Sequence, residues 1–205
     1  MSESDTQRST GRGTARGRLL EAAVDLIRAK GYTATTVDDL CAAAGVTKGA
    51  FFHHFDSKEH LAVEAADHWS TTTSALFAAA DYHLLATPKQ RVLGYIDLRA
   101  SLIDGPPEAF TCLVGTMTQE TFATHHAIRN ACADSIFGHA ATLEADLDAA
   151  LAETARVDGT DAAGLARHVQ SVLQGSFVLA KAANDSSIVT ESLAHLRRYL
   201  DHVLD

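Results

Sequence analysis

The stretch TTVDDLCAAAGVTKGAFFHHFDSKEHL, residues 35–61, decides how the rest of the chain is read. It holds two short helical patterns separated by a glycine. Thr36 is placed to cap the first, and Asp39 at the third helical position completes a capping box. That helix covers 37–44 and stops at Gly45, where a left-handed backbone is easiest. Thr47 opens a second helix that reaches Phe55. Ala42, Ala43 and Ala44 are small, so the two helices approach closely, and Leu40, Val46, Phe51 and Phe55 supply the core that fixes their crossing. The arrangement is that of a helix-turn-helix, which lays its second helix in the major groove of DNA. The second helix begins Thr47-Lys48-Gly49-Ala50, short side chains and one cation. Such an end can enter a groove deeply, with Lys48 reaching a base edge or a phosphate. Thr36 and Thr47 place hydroxyls and N–H groups at helix starts, where phosphate oxygens bind favourably. Lys58, one turn further on, is positioned to grip the backbone.

Working outward, an apolar stripe of Leu19, Ala22, Ala23, Leu26 and Ile27 predicts a helix over 15–30 that Gly31 terminates. Residues 1–13 are rich in Ser, Thr and Gly and read as a flexible arm. Arg8, Arg12, Arg16 and Arg18 are candidates for minor-groove or phosphate contacts; the alternative is a solvated tail. C-terminal to the quoted stretch, helical spacing of Leu and Ala predicts helices over about 57–80, 88–103, 109–122, 125–154, 161–183 and 186–204. Pro88 suits a first turn, and the DGPP segment at 104–107 forces a break. No stretch alternates with period two, so the chain reads as all-α.

Bulk properties exclude several classes. The chain has 205 residues, 46% of them hydrophobic and 21% charged, the balance of a globular protein. No apolar run is long enough for a membrane span, and the polar N-terminus lacks the apolar core of a secretory signal. Three cysteines without metal-type spacing fit a reducing cytoplasm. The net charge of −9 by itself opposes DNA binding. Residues 1–60, however, hold eight of the 17 Lys and Arg and eight of the 26 Asp and Glu, so the whole excess lies beyond them. A neutral head on an acidic body is compatible with DNA binding where the head's cations share a face.

The quoted segment resembles the signature of the TetR family of bacterial repressors, which runs roughly G-V-S-K-G-x-L-Y-x-H-F-x-S-K-E. Gly45, Val46, Lys48, Gly49, His54, Phe55, Ser57, Lys58 and Glu59 match it, and Thr47 takes the serine place. The strong likeness covers about residues 15–62. It implies DNA contacts from Thr36, Thr47, Lys48, Gly49, Phe52, His53, His54 and Lys58. Phe52 departs from the family's tyrosine and lacks the hydroxyl that meets a phosphate; His53 is the candidate to replace that contact. The alternative for His53 or His54 is a hydrogen bond between helices, and for Cys41 a small apolar filler.

The resemblance also implies a domain plan. A flexible arm (1–13) precedes a three-helix DNA-binding head with the helix-turn-helix (14–60), followed by a C-terminal helical body for ligand binding and dimerisation (61–205), about nine helices in all. Candidate pocket residues are Trp69, Phe77, Tyr95, Phe110, Cys112, Met117, Phe122 and Phe137, the alternative being plain core. Candidate dimer contacts on the last two helices are Leu165, Val169, Val172, Phe177, Leu193, Leu196, Leu200 and Val203, with intrachain core as the alternative. The run FTCLVGTMTQE (110–120) mixes polar groups into an apolar helix, and buried polar groups need partners. It resembles a TetR subgroup in which some members sense electrophiles through a cysteine; Cys112 would be that residue, or else an inert thiol.

His60, Glu64 and His68 recur along one helix; two adjacent members could share a metal, but all three span too far for one ion, so no metal is expected, and nothing calls for a cofactor. The partners expected are operator DNA, a second copy of the chain and an unidentified small molecule, with no membrane. The function expected is a regulator, foremost a repressor released by a small-molecule or electrophile inducer. An activator, a ligand-independent regulator, and an all-helical enzyme or carrier with a non-DNA-binding head are the alternatives. No pairing of nucleophile and base stands out, so no catalytic residues are expected.

Overall fold

The computed structural model describes residues 13–154 and 160–205, and among them it contains helices and no strand. In chain order these are α1 (Ala15–Lys30), α2 (Val37–Ala44), α3 (Lys48–His54), α4 (Lys58–Ala78), α5 (Pro88–Ser101), α6 (Pro107–Phe110), α7 (Leu113–Thr121), α8 (His126–Ala141), α9 (Glu144–Glu153), α10 (Ala162–Ala183) and α11 (Ser187–Val203). A 3-10 turn at Asp81–Leu84 lies between α4 and α5.

The signals read from the sequence place the head's helices well. Gly31 ends α1 with φ 88°, and its N–H donates to the Ile27 carbonyl at 2.9 Å. Thr36 and Asp39 form the full capping box, and Gly45 closes α2 in the left-handed region at φ 62°. The body has two more helices than expected. The segment 109–122 is two elements: α6 is one turn, Thr111 and Cys112 are extended, and α7 starts at Leu113. The segment 125–154 breaks at Thr142 and Leu143. There the Thr142 hydroxyl donates to the His139 carbonyl at 2.7 Å, and Leu143 turns inward to be buried. The break carries no Gly or Pro; core packing of Leu143 imposes it.

Two apolar cores organise the chain. The first joins Leu19, Ile27, Leu40, Phe51 and Phe55 of the head region to Leu61, Ala62, Ala65 and Ala66 of α4, and extends to Leu113, Val114 and Met117 of α7 and Ile128 and Cys132 of α8. The second gathers α5, α9, α10 and α11 with Phe77 of α4. Cys112 packs against both. Each fully buried Leu or Phe contributes roughly 1.5–3 kcal/mol, so the shared first core ties head and body firmly.

Polar straps reinforce that tie. Glu120 at the end of α7 accepts hydrogen bonds from the Tyr32 and Thr33 N–H groups at 3.0 and 2.8 Å. A Cβ at Gly31 would meet its carboxylate oxygen at 2.3 Å. Lys181 of α10 donates to the Arg28 carbonyl at 3.1 Å and to the Thr116 hydroxyl at 2.9 Å. The Tyr32 and His125 rings meet edge to face at 5.3 Å. None of the described helices is long and apolar enough to cross a membrane.

Candidate nucleic-acid interface and effector cavity

Helix α3 turns Phe51 fully inward and leaves Thr47, Lys48, Gly49, Phe52 and His53 exposed, with His54 half-buried. Thr47 caps the helix by accepting from the Ala50 N–H at 3.2 Å. Lys48 is exposed and pairs with Asp38 at 2.9 Å across the turn. That pair is solvated, so it is worth little and is readily exchanged for a phosphate. Phe52 is 52% exposed and stands edge-on to Phe51, an apolar ring on the outer face. His53 and His54 stack edge to face at 4.9 Å.

Two expected contacts sit differently. Thr36 gives both its N–H and its hydroxyl to the Asp39 carboxylate, at 2.9 and 2.8 Å. A hydrogen bond from Lys30, then those from Thr36, hold the Asp39 carboxyl well below the usual carboxylate range. Lys58 points inward: its ammonium donates to the Tyr32 and Thr35 carbonyls at 3.1 and 3.0 Å and lies 4.2 Å from the centroid of the Tyr32 ring. Burial lowers its pKa. It fastens the α1–α2 loop to the start of α4, whereas the sequence places it as a grip on DNA backbone. Of the arm arginines, Arg8 and Arg12 lie outside the described residues. Arg16 pairs with Glu64, and Arg18 donates to the Ala44 carbonyl at 2.9 Å.

The body holds a cavity of about 50 Å³ lined by Trp69 and Thr73 of α4, Arg99 of α5, Phe110, Cys112 and Val114, Ser135, Ile136 and His139 of α8, and Gln170, Leu173, Gln174 and Phe177 of α10. Of the eight expected pocket residues, Trp69, Phe110 and Cys112 line it. Phe77 and Tyr95 stand one layer behind, against His139. Met117 belongs to the first core. Phe122 and Phe137 are 58% and 59% exposed, since their helices turn them to solvent. Sequence reading missed Arg99, His139 and Gln170, scattered polar residues with no local motif. Burial and the adjacent Arg99 push the His139 pKa down to about 4, so the ring is neutral and accepts hydrogen bonds.

Cys112 is half-buried at the start of α7, where its sulfur accepts from the Gly115 N–H at 3.5 Å. Burial raises the pKa of Cys41, and pushes Cys132 up to about 11. Along α4, His60 lies 3.5 Å from Glu64, whereas His68 turns to Glu21 at 3.2 Å. No group among the described residues is arranged to hold a metal ion.

The apolar stripe of α10 and α11 faces the protomer's own core. Leu165, Val169, Phe177, Leu193, Leu196 and Leu200 are buried there, and Val172 and Val203 pack against it half-buried. Phe177 also lines the cavity. These residues have little surface left for a second chain, which corrects the expected interface. The opposite face exposes His168, Ser171, Gly175, Val178 and Leu179 of α10 with His195 and Tyr199 of α11. The His168 and Tyr199 rings meet across it at 5.2 Å.

Residues 19–65 match the family described as bacterial regulatory proteins, tetR family. Residues 88–194, about half of the chain, match the C-terminal domain of LmrA/YxaF-like transcriptional regulators. The HTH-type transcriptional repressor KstR2 of Rhodococcus jostii (strain RHA1) is 45% identical over 60 residues, 29% of this chain and 28% of that protein. The uncharacterized HTH-type regulator YxaF of Bacillus subtilis (strain 168) is 27% identical over 124 residues, 60% of this chain and 64% of that one. The matches thus span less than two thirds of these relatives' length. A TetR-family regulator from Agrobacterium tumefaciens superposes with a TM-score of 0.79 at 18% identity, covering 93% of this chain and 98% of that one, which establishes a common fold.

Proposed function

Since the chain belongs to the TetR family of bacterial transcriptional regulators, we propose that it is a repressor that binds a two-fold operator as a homodimer and is released by a small effector. The observation that carries this reading is the outer face of α3. A capped helix start presents Thr47, Lys48 and Gly49 on a rigid turn, the shape and charge that a major groove accepts. We assign base or phosphate contacts to Thr47, Lys48, Gly49, Phe52 and His53, with Thr36 and His54 at the edge. The protein works in the cytoplasm, catalyses no reaction, and needs no cofactor.

The dimer uses the outer face of α10 and α11. Gly175 supports this: a Cβ there would meet nothing within 4 Å in the protomer, so its own packing does not demand a glycine. A close approach by a second α10 would. Release follows from the course of α4, whose first half shares the head's core while Trp69 and Thr73 line the cavity. A ligand that separates Trp69 from Phe177 tilts α4 and changes the spacing of two heads on DNA. Covalent attack on Cys112 is a second route, favoured by its place on the cavity wall.

The test is selection of genomic fragments by the full-length chain, followed by footprinting and sedimentation. Enrichment of a palindromic site bound by two copies is expected. A folded chain that enriches no sequence overturns the reading. Activation rather than repression of the adjacent promoter would correct its sign. For Cys112, release by N-ethylmaleimide should vanish in Cys112→Ser; full retention excludes the covalent route.

A further inference from the structure

All of the formal charge of −9 lies outside residues 1–60, yet among the described residues no Asp or Glu lines the cavity of the acidic body. Among the described residues, Arg99 is the one charged side chain in its wall, and the groups its guanidinium meets are neutral. Its Nε donates to the Tyr95 hydroxyl at 2.8 Å. Its Nη2 lies 2.7 Å from His139 Nε2, to which the Tyr95 hydroxyl also points at 2.9 Å. The Phe77 ring faces the guanidinium carbon at 4.2 Å. Among the described residues no carboxylate forms an ion pair with Arg99. A half-buried guanidinium without a counter-ion is electrostatically incomplete, and Tyr95 and His139 leave part of its fork of donors unused.

A second donor in the same wall is also incomplete. Gln170 is 7% exposed, and its side-chain N–H₂ has no hydrogen-bond partner. Buried amides are ordinarily paired, so this one is open to an acceptor that enters the cavity. The rest of the wall is mainly apolar, with Trp69, Phe110 and Phe177 as its large surfaces. Behind Trp69, the Arg28 guanidinium stacks at 5.2 Å and adds positive potential from the head side.

We propose that the effector is a small organic acid, its carboxylate held by Arg99 with Gln170 as the second donor and its apolar body packed among Trp69, Phe110 and Phe177. This rests on the reading of the cavity as the effector site. A carboxylate suits the planar fork of arginine and supplies an acceptor for the amide as well. The size of the cavity narrows the class. At about 50 Å³ it takes an acid of a few heavy atoms without rearrangement, and an aromatic acid only after the walls open. The neutral His139 accepts from Arg99 without neutralising its charge, which is left for the ligand.

The experiment uses the full-length chain and pairs each acid with its amide: butyrate with butyramide, isovalerate with isovaleramide, benzoate with benzamide. Calorimetry reads binding, and operator release is followed in the same samples. The acids should bind at least about tenfold tighter than their amides, the difference a charge-assisted hydrogen bond makes. Arg99→Met should remove that preference while amide binding persists, which also shows that the variant is folded. Arg99→Lys should retain part of it, and Gln170→Leu should weaken acid binding a few-fold. Equal binding of acids and amides, an acid preference that survives Arg99→Met, or no binding of any acid overturns the proposal. A chain that holds its operator and is released by neutral compounds overturns the anionic effector alone. A chain that binds no operator overturns the regulator reading instead.

Discussion

Helices α3 and α11 both carry apolar residues at regular spacing, and in both the stripe faces inward. On α3, burying Phe51 leaves Thr47, Lys48, Phe52 and His53 outside. On α11, burying Leu193, Leu196 and Leu200 leaves His195 and Tyr199 outside. For α3 the sequence identifies the outer face, because a capped start and a glycine turn give it a known docking geometry. For α11 the same periodicity reports only which side meets its own chain. The side proposed here to meet a second copy carries weaker features: a glycine with open space beside it, an exposed leucine, two rings edge to face. The stripe most conspicuous in the sequence is therefore spent on the chain's own core.

The widest contrast lies between Leu179 and Leu196. Leu179→Arg should yield a folded monomer by sedimentation and lower operator affinity at least about 100-fold, since one head has few contacts. Leu196→Ala should cost roughly 2–5 kcal/mol of stability in chemical denaturation, without directly weakening association. A well-folded but dissociated Leu196→Ala variant would erase the distinction between the two faces.

Acidity separates the body from the head next. The folded His139 has a pKa of about 4 against an ordinary 6.5, so the unfolded chain takes up that proton first as pH falls. Stability fully present above pH 6.5 should decline towards about pH 4, by at most about 3 kcal/mol for this group. Thermal melts of His139→Asn across that window should be correspondingly flatter; an unchanged slope would mean the ring is not held neutral.

Two head lysines sharpen the comparison on a smaller scale. Lys58→Met should lose about 1–3 kcal/mol of stability, because two carbonyls lose a charged donor. Lys48→Ala should leave unfolding unchanged, weaken operator binding about tenfold and reduce the salt slope by about one. A reversal of these phenotypes would exchange the roles assigned to the two ammonium groups. The smallest effect expected is from Phe52→Tyr, which adds a hydroxyl on the exposed face and should tighten operator binding a few-fold at most.

Local chemistry made the head legible: Thr36 with Asp39, Gly45, Thr47 and Gly31 each act within a few residues of themselves. The helical class of the body was legible from periodicity for the same reason. The break at Thr142 was not, because the pull on Leu143 comes from residues distant in sequence. The cavity was legible only at Trp69, Phe110 and Cys112. Aromatic identity cannot separate Phe110, which lines the space, from Phe137, which faces water. Arg99, His139 and Gln170 converge from three different helices, and their meeting exists only after folding. Lys58 sits where the family resemblance implies a phosphate contact, and only the positions of the Tyr32 and Thr35 carbonyls redirect it.

The grip of Glu120 on the Tyr32 and Thr33 amides bears on how this protein can be re-engineered. Biosensor chimeras are commonly imagined as a reading head cut from one regulator and spliced to the sensing half of another after the third helix. Here such a splice would divide a continuous core and leave the α1–α2 loop without its carboxylate. A foreign head whose first helix ended in any residue but glycine would also drive its side chain into Glu120. A transplant from this protein must carry the 113–121 segment along with the head, or redesign both sides of that contact together.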